Sequence, residues 1–247
     1  MRVYAIGDIH GHLDQLEAVH QHIAADKARV GDPDAPVVHI GDLVDRGPDS
    51  AGVIAWLLAR VAEGQPFIVL KGNHDRLMAH FLRDPSESDP LRPDLHWFDS
   101  RIGGRTTLAS YGIEGTRYRD TPDLERAARV AVPAAHQAFL EGLPDHWRAP
   151  GLFFAHAGIR PGVDLSAQVE EDLVWIREAF LFDTRDHGVL VVHGHTPVKA
   201  VTHYGSRLNI DSGAAYGGPL SAVVIEDKGN LVARVTGEGR VPVTPEA

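Results

Sequence analysis

Five separate stretches of this chain are short apolar runs that stop abruptly at residues able to bind metal, and this pattern restricts the fold more than any other feature. Val3-Tyr4-Ala5-Ile6 runs into Gly7-Asp8-Ile9-His10-Gly11, and Val37-Val38-His39-Ile40 into Gly41-Asp42-Leu43-Val44-Asp45-Arg46-Gly47. Phe67-Ile68-Val69-Leu70 leads to Gly72-Asn73-His74-Asp75, Leu152-Phe153-Phe154-Ala155 to His156-Ala157-Gly158, and Val189-Leu190-Val191-Val192 to His193-Gly194-His195-Thr196-Pro197. Such runs predict buried strands, and α/β proteins collect ligands at the carboxyl ends of their strands. The expectation is five strand ends around one site.

The intervening sequence supplies helices. Leu13, Leu16, Val19 and Ile23 make one apolar helical face, and Val53, Ile54, Leu57, Leu58 and Val61 another, so the first eighty residues read βαβαβ. Pro85, Pro90 and Pro93 turn the stretch from Arg83 to Asp94 into a surface excursion. A further helical region is expected from Asp123 to Glu141. Strands follow near Leu152, Val189, Arg207–Ile210, Leu220–Ile225 and Leu231–Val235, the last three antiparallel and the second half richer in sheet. The predicted class is α/β, two mixed sheets in a central sandwich flanked by helices. One domain spans residues 1–236, with a frayed tail over 237–247.

The chain has 247 residues and no cysteine, which excludes disulfides and thiolate ligands. No apolar stretch is long enough for a membrane span and no signal pattern opens the chain, so a cytoplasmic enzyme without a membrane or an obligate protein partner is expected. A net charge of −10 disfavours binding to nucleic acid duplexes but leaves room for a local phosphate pocket.

Asp8, His10, Asp42, Asn73, His156 and His195 offer carboxylate, imidazole and amide oxygen, a set suited to manganese, iron or zinc. Six ligands exceed what one catalytic ion with open positions uses. They suit two ions about 3.5–4 Å apart that share a carboxylate and clamp a phosphoryl group. Arg46 then offers a guanidinium fork for phosphate oxygens. His74, beside Asn73, can protonate a leaving oxygen, with Asp45 holding it charged. Taken alone, each of these residues has a plainer reading as a turn, a cap or a solvated charge. Most of the 15 histidines are expected to be structural, with His39 and His193 as candidate supports for ligands.

In this order, Gly-Asp-Ile-His-Gly, Gly-Asp-Leu-Val-Asp-Arg-Gly, Gly-Asn-His-Asp, His-Ala-Gly and Gly-His-Thr-Pro resemble the calcineurin-like metallophosphoesterases, in their phosphoprotein phosphatase branch. The resemblance implies Asp8 and His10 on one metal, Asp42 on both, and Asn73, His156 and His195 on the second. It also implies Arg46 as phosphate binder and His74 with Asp45 as acid and partner. Arg177, after Trp175, is similar to a second phosphate-binding arginine, and Tyr216 to an aromatic at the cleft rim. Gly103-Gly104-Arg105-Thr106-Thr107 with Ser110-Tyr111-Gly112 resembles a segment of small bacterial members, with no role assigned. Asp75 and Ala157 depart from the eukaryotic enzymes toward bacterial protein phosphatases and symmetrical diadenosine tetraphosphate hydrolases. The implied reaction is direct attack of metal-activated hydroxide on a phosphate ester, with manganese first among the metals. A serine/threonine phosphoprotein is the first substrate reading, a dinucleoside polyphosphate or another small phosphorylated compound the second, and an inactive metal-binding scaffold the third.

Overall fold

A computed structural model describes residues 1–85 and 89–246. The strands are β1 (Val3–Ile6), β2 (Val37–His39), β3 (Phe67–Val69), β4 (His146–Ala149), β5 (Leu152–Ala155), β6 (Leu190–His193), β7 (Thr202–His203), β8 (Arg207–Asn209), β9 (Ala222–Glu226), β10 (Leu231–Thr236) and β11 (Gly239–Pro242). The helices are α1 (Leu13–Val30), α2 (Ser50–Ala62), α3 (Asn73–Arg83), α4 (Gly104–Ser110), α5 (Thr121–Ala131), α6 (Ala134–Glu141), α7 (Glu170–Trp175) and α8 (Glu178–Leu181). One sheet runs β11-β10-β9-β1-β2-β3 and the other β4-β5-β6-β8-β7. Both mix parallel and antiparallel pairs, and the expected α/β sandwich is the observed architecture.

Alternation along the strands explains why they read as continuous apolar runs. Val3 and Ala5 of β1 join Leu152 and Phe154 of β5 and Val192 of β6 in the layer between the sheets. Tyr4 and Ile6 face the other way, toward Leu16, Val19 and Ile23 of α1 and Val53, Ile54 and Leu57 of α2. Phe153 and Ala155 likewise turn outward to Leu173 of α7 and Phe180 of α8. Successive side chains point to opposite faces, and both faces of the central strands β1 and β5 are covered, so every position of these two is apolar.

β1, β2 and β3 are parallel, as are β5, β6 and β8, so their carboxyl ends emerge at shared edges. This places the five predicted ends together and adds a sixth, where β8 runs into Ile210 and Asp211.

Three expectations are corrected. β8 lies in the second sheet, parallel to β6. Only β9 and β10 form the expected antiparallel pair, in the first sheet. The helical region from Asp123 divides into α5 and α6 at Pro133, which has no N–H to continue the ladder. The segment expected to fray after Gly237 contains β11, which pairs with β10. Residue 247 of that segment, like residues 86–88 of the proline-rich excursion, lies outside the described residues.

What pins β11 is a buried carboxylate far away in sequence. Asp26 of α1 accepts hydrogen bonds from the Tyr4 hydroxyl at 2.6 Å and from Arg240 Nε and Nη2 at 3.0 and 2.8 Å. Arg240 also reaches Glu226 at 2.8 Å. Burial alone would raise the Asp26 carboxyl, but the bonds from Arg240, Tyr4 and Arg29 hold it below the usual carboxylate range. A depressed folded-state pKa stabilises above the unfolded value of about 4 and is lost as pH falls through the folded one. Asp26→Asn is therefore expected to lower unfolding free energy by about 3 kcal/mol at pH 7, the scale for breaking a buried pair. Urea titrations should show the gap from the unaltered protein narrowing as pH falls below about 4.

Candidate metal centre

The loops after the strands carry the predicted site residues in an unusual backbone conformation. His10, Asp42, Asp45, Arg46 and His195 have φ of 45°, 50°, 72°, 68° and 66°. Left-handed non-glycine residues are costly and persist where the surroundings hold them. Here the loops hold one another: His10 N donates to the Asp42 carbonyl at 2.8 Å, and Gly11 N to the Leu43 carbonyl at 2.9 Å. Asp75 is a strut between the second and third motifs, accepting from Leu43 N at 2.9 Å and Gly72 N at 2.8 Å. Its burial, with Asp42 nearby, pushes its pKa up to about 7. Gly72 packs so closely that a Cβ there would stand 2.2 Å from Asp42 Oδ1.

Asp42 is the geometric centre. Its Oδ2 lies 3.3 Å from His10 Nε2, and its Oδ1 lies 3.3 Å from His156 Nε2. Two groups of donor atoms share it, one with His10 and His74 and one with His156 and His195. Asn73 Oδ1 stands 2.9 Å from His156 Nε2, which is 3.2 Å from His195 Nδ1. Asp8 Oδ2 accepts from His195 N at 3.0 Å, while its Oδ1 is buried without a hydrogen-bond partner among the described residues, as is His195 Nε2. All six predicted ligands are thus brought together, 6% exposed or less.

These residues fit divalent cations on their own chemistry. His156 Nδ1 donates to the Ile40 carbonyl at 3.1 Å, which leaves its Nε2 as a lone pair facing the amide oxygen of Asn73. Two acceptors at that separation repel unless a cation lies between them. Burial pushes His156 down to about 4, so protonation does not relieve the contact near neutral pH. His10 Nδ1 similarly donates to the Val44 carbonyl at 2.9 Å and turns Nε2 toward Asp42. Burial would raise Asp42, but the imidazoles of His156, His74 and His10 bring it well below the usual range. Asp8 moves upward through burial and the nearby carboxylates of Asp211 and Asp42.

The predicted acid and partner meet. His74 Nδ1 donates to Asp45 Oδ2 at 2.8 Å, and its Nε2 points toward Asp42 Oδ2 at 3.9 Å. Asp45 is fully buried and accepts two further donors that the sequence reading missed. Thr107 Oγ1 donates to Oδ1 at 2.7 Å, and the Trp97 indole reaches Oδ1 and Oδ2 at 3.0 and 3.1 Å. Thr107 Oγ1 also accepts from Asp45 N at 2.9 Å. The Gly-Gly-Arg-Thr-Thr segment therefore delivers a threonine to the carboxylate that orients His74.

Arg46 Nη1 lies 3.1 Å from His10 Nε2, and the guanidinium stands 5.1 Å from the centre of the exposed Tyr216 ring. Arg177 Nη1 donates to Thr196 Oγ1 at 3.1 Å, beside His195, and is within electrostatic reach of Asp42, Arg46 and Arg92. Arg92, paired with Asp94 at 2.8 and 2.9 Å, stacks on Trp175 at 4.7 Å. Asp211, buried near Asp8, was also missed, although it ends a strand as the predicted ligands do. His39 pairs with His20 at 2.9 Å, and His193 with Arg207 at 3.3 Å, so neither supports a ligand side chain in these contacts.

Thr107→Val leaves the buried Asp45 short of a charge-assisted bond and is expected to cost about 1.5–3 kcal/mol in denaturant unfolding. Thr107→Ser, which keeps the hydroxyl, should recover most of it.

The sequence profile described as calcineurin-like phosphoesterase matches residues 1–225. The chain is 28% identical over 245 residues to a Geobacillus thermodenitrificans protein named bis(5'-nucleosyl)-tetraphosphatase PrpE, asymmetrical, with 90% of each chain covered. It is 29% identical over 266 residues to a Paracidovorax citrulli protein named bis(5'-nucleosyl)-tetraphosphatase, symmetrical, covering 90% of this chain and 92% of that one. A cold-active protein-tyrosine phosphatase of a psychrophilic Shewanella shares the fold, with a TM-score of 0.61 at 16% identity over 98% of this chain and 80% of that one. The matched profile spans all five motifs and the centre built around Asp42, and this chain belongs to the calcineurin-like phosphoesterase family.

Proposed function

We propose that the protein hydrolyses dinucleoside polyphosphates, diadenosine tetraphosphate foremost, rather than phosphoproteins. The observation that carries this reading above the protein phosphatase expected first is the likeness, over nine-tenths of both chains, to proteins named bis(5'-nucleosyl)-tetraphosphatases. The mouth of the centre supports it. Arg46 and Arg177 stand there within electrostatic reach of one another on a chain of net charge −10, an arrangement suited to a run of phosphates.

In this reading Asp8, His10 and Asp42 hold one divalent cation, and Asp42, Asn73, His156 and His195 the other, with manganese, iron or zinc suited to the donors. Bound there, two cations supply Lewis-acid stabilisation of the phosphoryl oxygens and acidify water. Arg46 and Arg177 orient the phosphates. His74, held by Asp45, carries a proton to the leaving oxygen.

The leaving group sets how much that proton matters. A nucleotide leaves as a phosphate whose last proton titrates near pH 6, whereas the serine of a phosphoserine leaves as a far more basic alkoxide. His74→Asn is expected to preserve metal content and to cut turnover of a phosphoserine peptide about 10²- to 10⁴-fold, with a smaller loss on diadenosine tetraphosphate. Loss of metal would instead make His74 a ligand, as its grouping with His10 and Asp42 allows.

Product analysis of the manganese-loaded protein, against a chelated control, tests the substrate. The expected result is a kcat/KM for diadenosine tetraphosphate above that for a phosphoserine peptide by about tenfold or more, equivalent to 1.4 kcal/mol. ADP alone marks central cleavage, and ATP with AMP marks cleavage of the anhydride between the first and second phosphates from one end. Preference for the peptide would return the assignment to the protein phosphatases.

A further inference from the structure

Arg46 separates the metal centre from a hollow of about 610 Å³ built by the loop after Asp45 and by the segment that carries Phe98, Gly103 and α4. We propose that this hollow is a nucleoside subsite, receiving one base and ribose of a dinucleoside polyphosphate whose phosphates lie at Arg46. The inference rests on the substrate reading above and assigns that substrate a place.

Connectivity is the first argument. The Arg46 guanidinium approaches His10 Nε2 at 3.1 Å on the metal side, and its Nη2 donates to the Arg101 carbonyl at 3.2 Å on the other. Arg46 also lines the hollow. A phosphate gripped by Arg46 therefore has the hollow within reach of its next substituent. Gly103 keeps the wall this close, since a Cβ there would stand 2.9 Å from Arg46 N, and its φ is 96°.

Chemistry is the second. The half-buried Phe98 ring carries the Arg105 guanidinium 5.1 Å from its centre. Arg105 is itself fixed by the carbonyls of Thr116 and Arg119. A guanidinium plane restrained over an aromatic ring, itself backed by Phe81 and Trp97 at 4.8 and 5.3 Å, is a surface of the kind on which proteins stack nucleobases. Pro48 and Ala109 add apolar wall, and the exposed Arg117 adds a cation at the mouth. Asp99, the acidic residue of the lining, is already occupied by Arg101 at 2.8 and 3.0 Å. The hollow is within the 300–1,000 Å³ typical of small-ligand sites. A phosphoserine side chain has no group that would fill it.

Ala109 is exposed on α4 and makes none of the contacts to Asp42 or Asp45 described above, so Ala109→Trp fills the hollow without touching the metal cluster. With the manganese-loaded full chain, KM for diadenosine tetraphosphate is expected to rise about tenfold or more, the scale of one lost base-stacking contact, while kcat/KM for para-nitrophenyl phosphate stays within about twofold. Arg117→Ala, at an exposed position that does not endanger folding, should raise the same KM about threefold, as a mouth cation in high dielectric would. Calorimetric titration of ADP into the metal-free protein should weaken in parallel with the dinucleotide KM. An unchanged dinucleotide KM in both variants, or an equal fall against both substrates, would overturn the subsite while leaving the substrate reading intact. Failure of the unaltered protein to cleave diadenosine tetraphosphate would defeat the substrate reading itself, and the subsite with it.

Discussion

The Asp42 carboxylate joins the two halves of this molecule, and the surrounding architecture can be understood as what keeps it in place. It comes from the end of a strand in one sheet, while His156 and His195, which converge on it, come from the ends of strands in the other. An error of one residue in either sheet would turn these side chains to the opposite face. Its own backbone is left-handed, at φ 50°, and the Gly72 backbone packs against it with no room for a side chain. A buried carboxylate among imidazoles would be expensive without partners, and here nearly every neighbour is one. The apolar layer between the sheets, with Ala5, Ile40, Phe154 and Val192, fixes the separation that the shared carboxylate requires.

The segment from Trp97 to Arg117 serves that centre in two ways. Its buried side supplies the indole of Trp97 and the hydroxyl of Thr107 to Asp45, and thus sets the ring of His74. Its open side makes the hollow beside Arg46. One short excursion therefore touches both the His74–Asp45 pair and the hollow on the far side of Arg46. Its glycines permit this because the helix α4 begins where Gly104 lies flat against the Trp97 indole.

Charge is distributed against the net value of the chain. Asp8, Asp42, Asp45, Asp75 and Asp211 lie in the buried floor, and Arg46 and Arg177 at the mouth. The floor is thus acidic and the mouth carries the guanidinium groups. A net charge of −10 says little about either, since local fields at a cleft depend on the groups within a Debye length.

The sequence by itself determined β1–β3, β5, β6 and β8–β10, the carboxylate, amide and imidazole groups at five of their ends, and so the kinds of donor atom offered. Those signals are local: an apolar run, a glycine and an aspartate or histidine sit next to one another in the chain. It also placed α1 and α2, whose apolar faces repeat within a few residues. Only the tertiary structure decided that β8 lies parallel to β6 and brings Asp211 near Asp8, because pairing depends on register between segments remote in sequence. The same holds for Arg240, which orders β11 through an aspartate 214 residues away. Trp97 and Thr107 were invisible for that reason too: a tryptophan and a threonine carry no local signal of the buried carboxylate, 52 and 62 residues earlier, whose charge they satisfy.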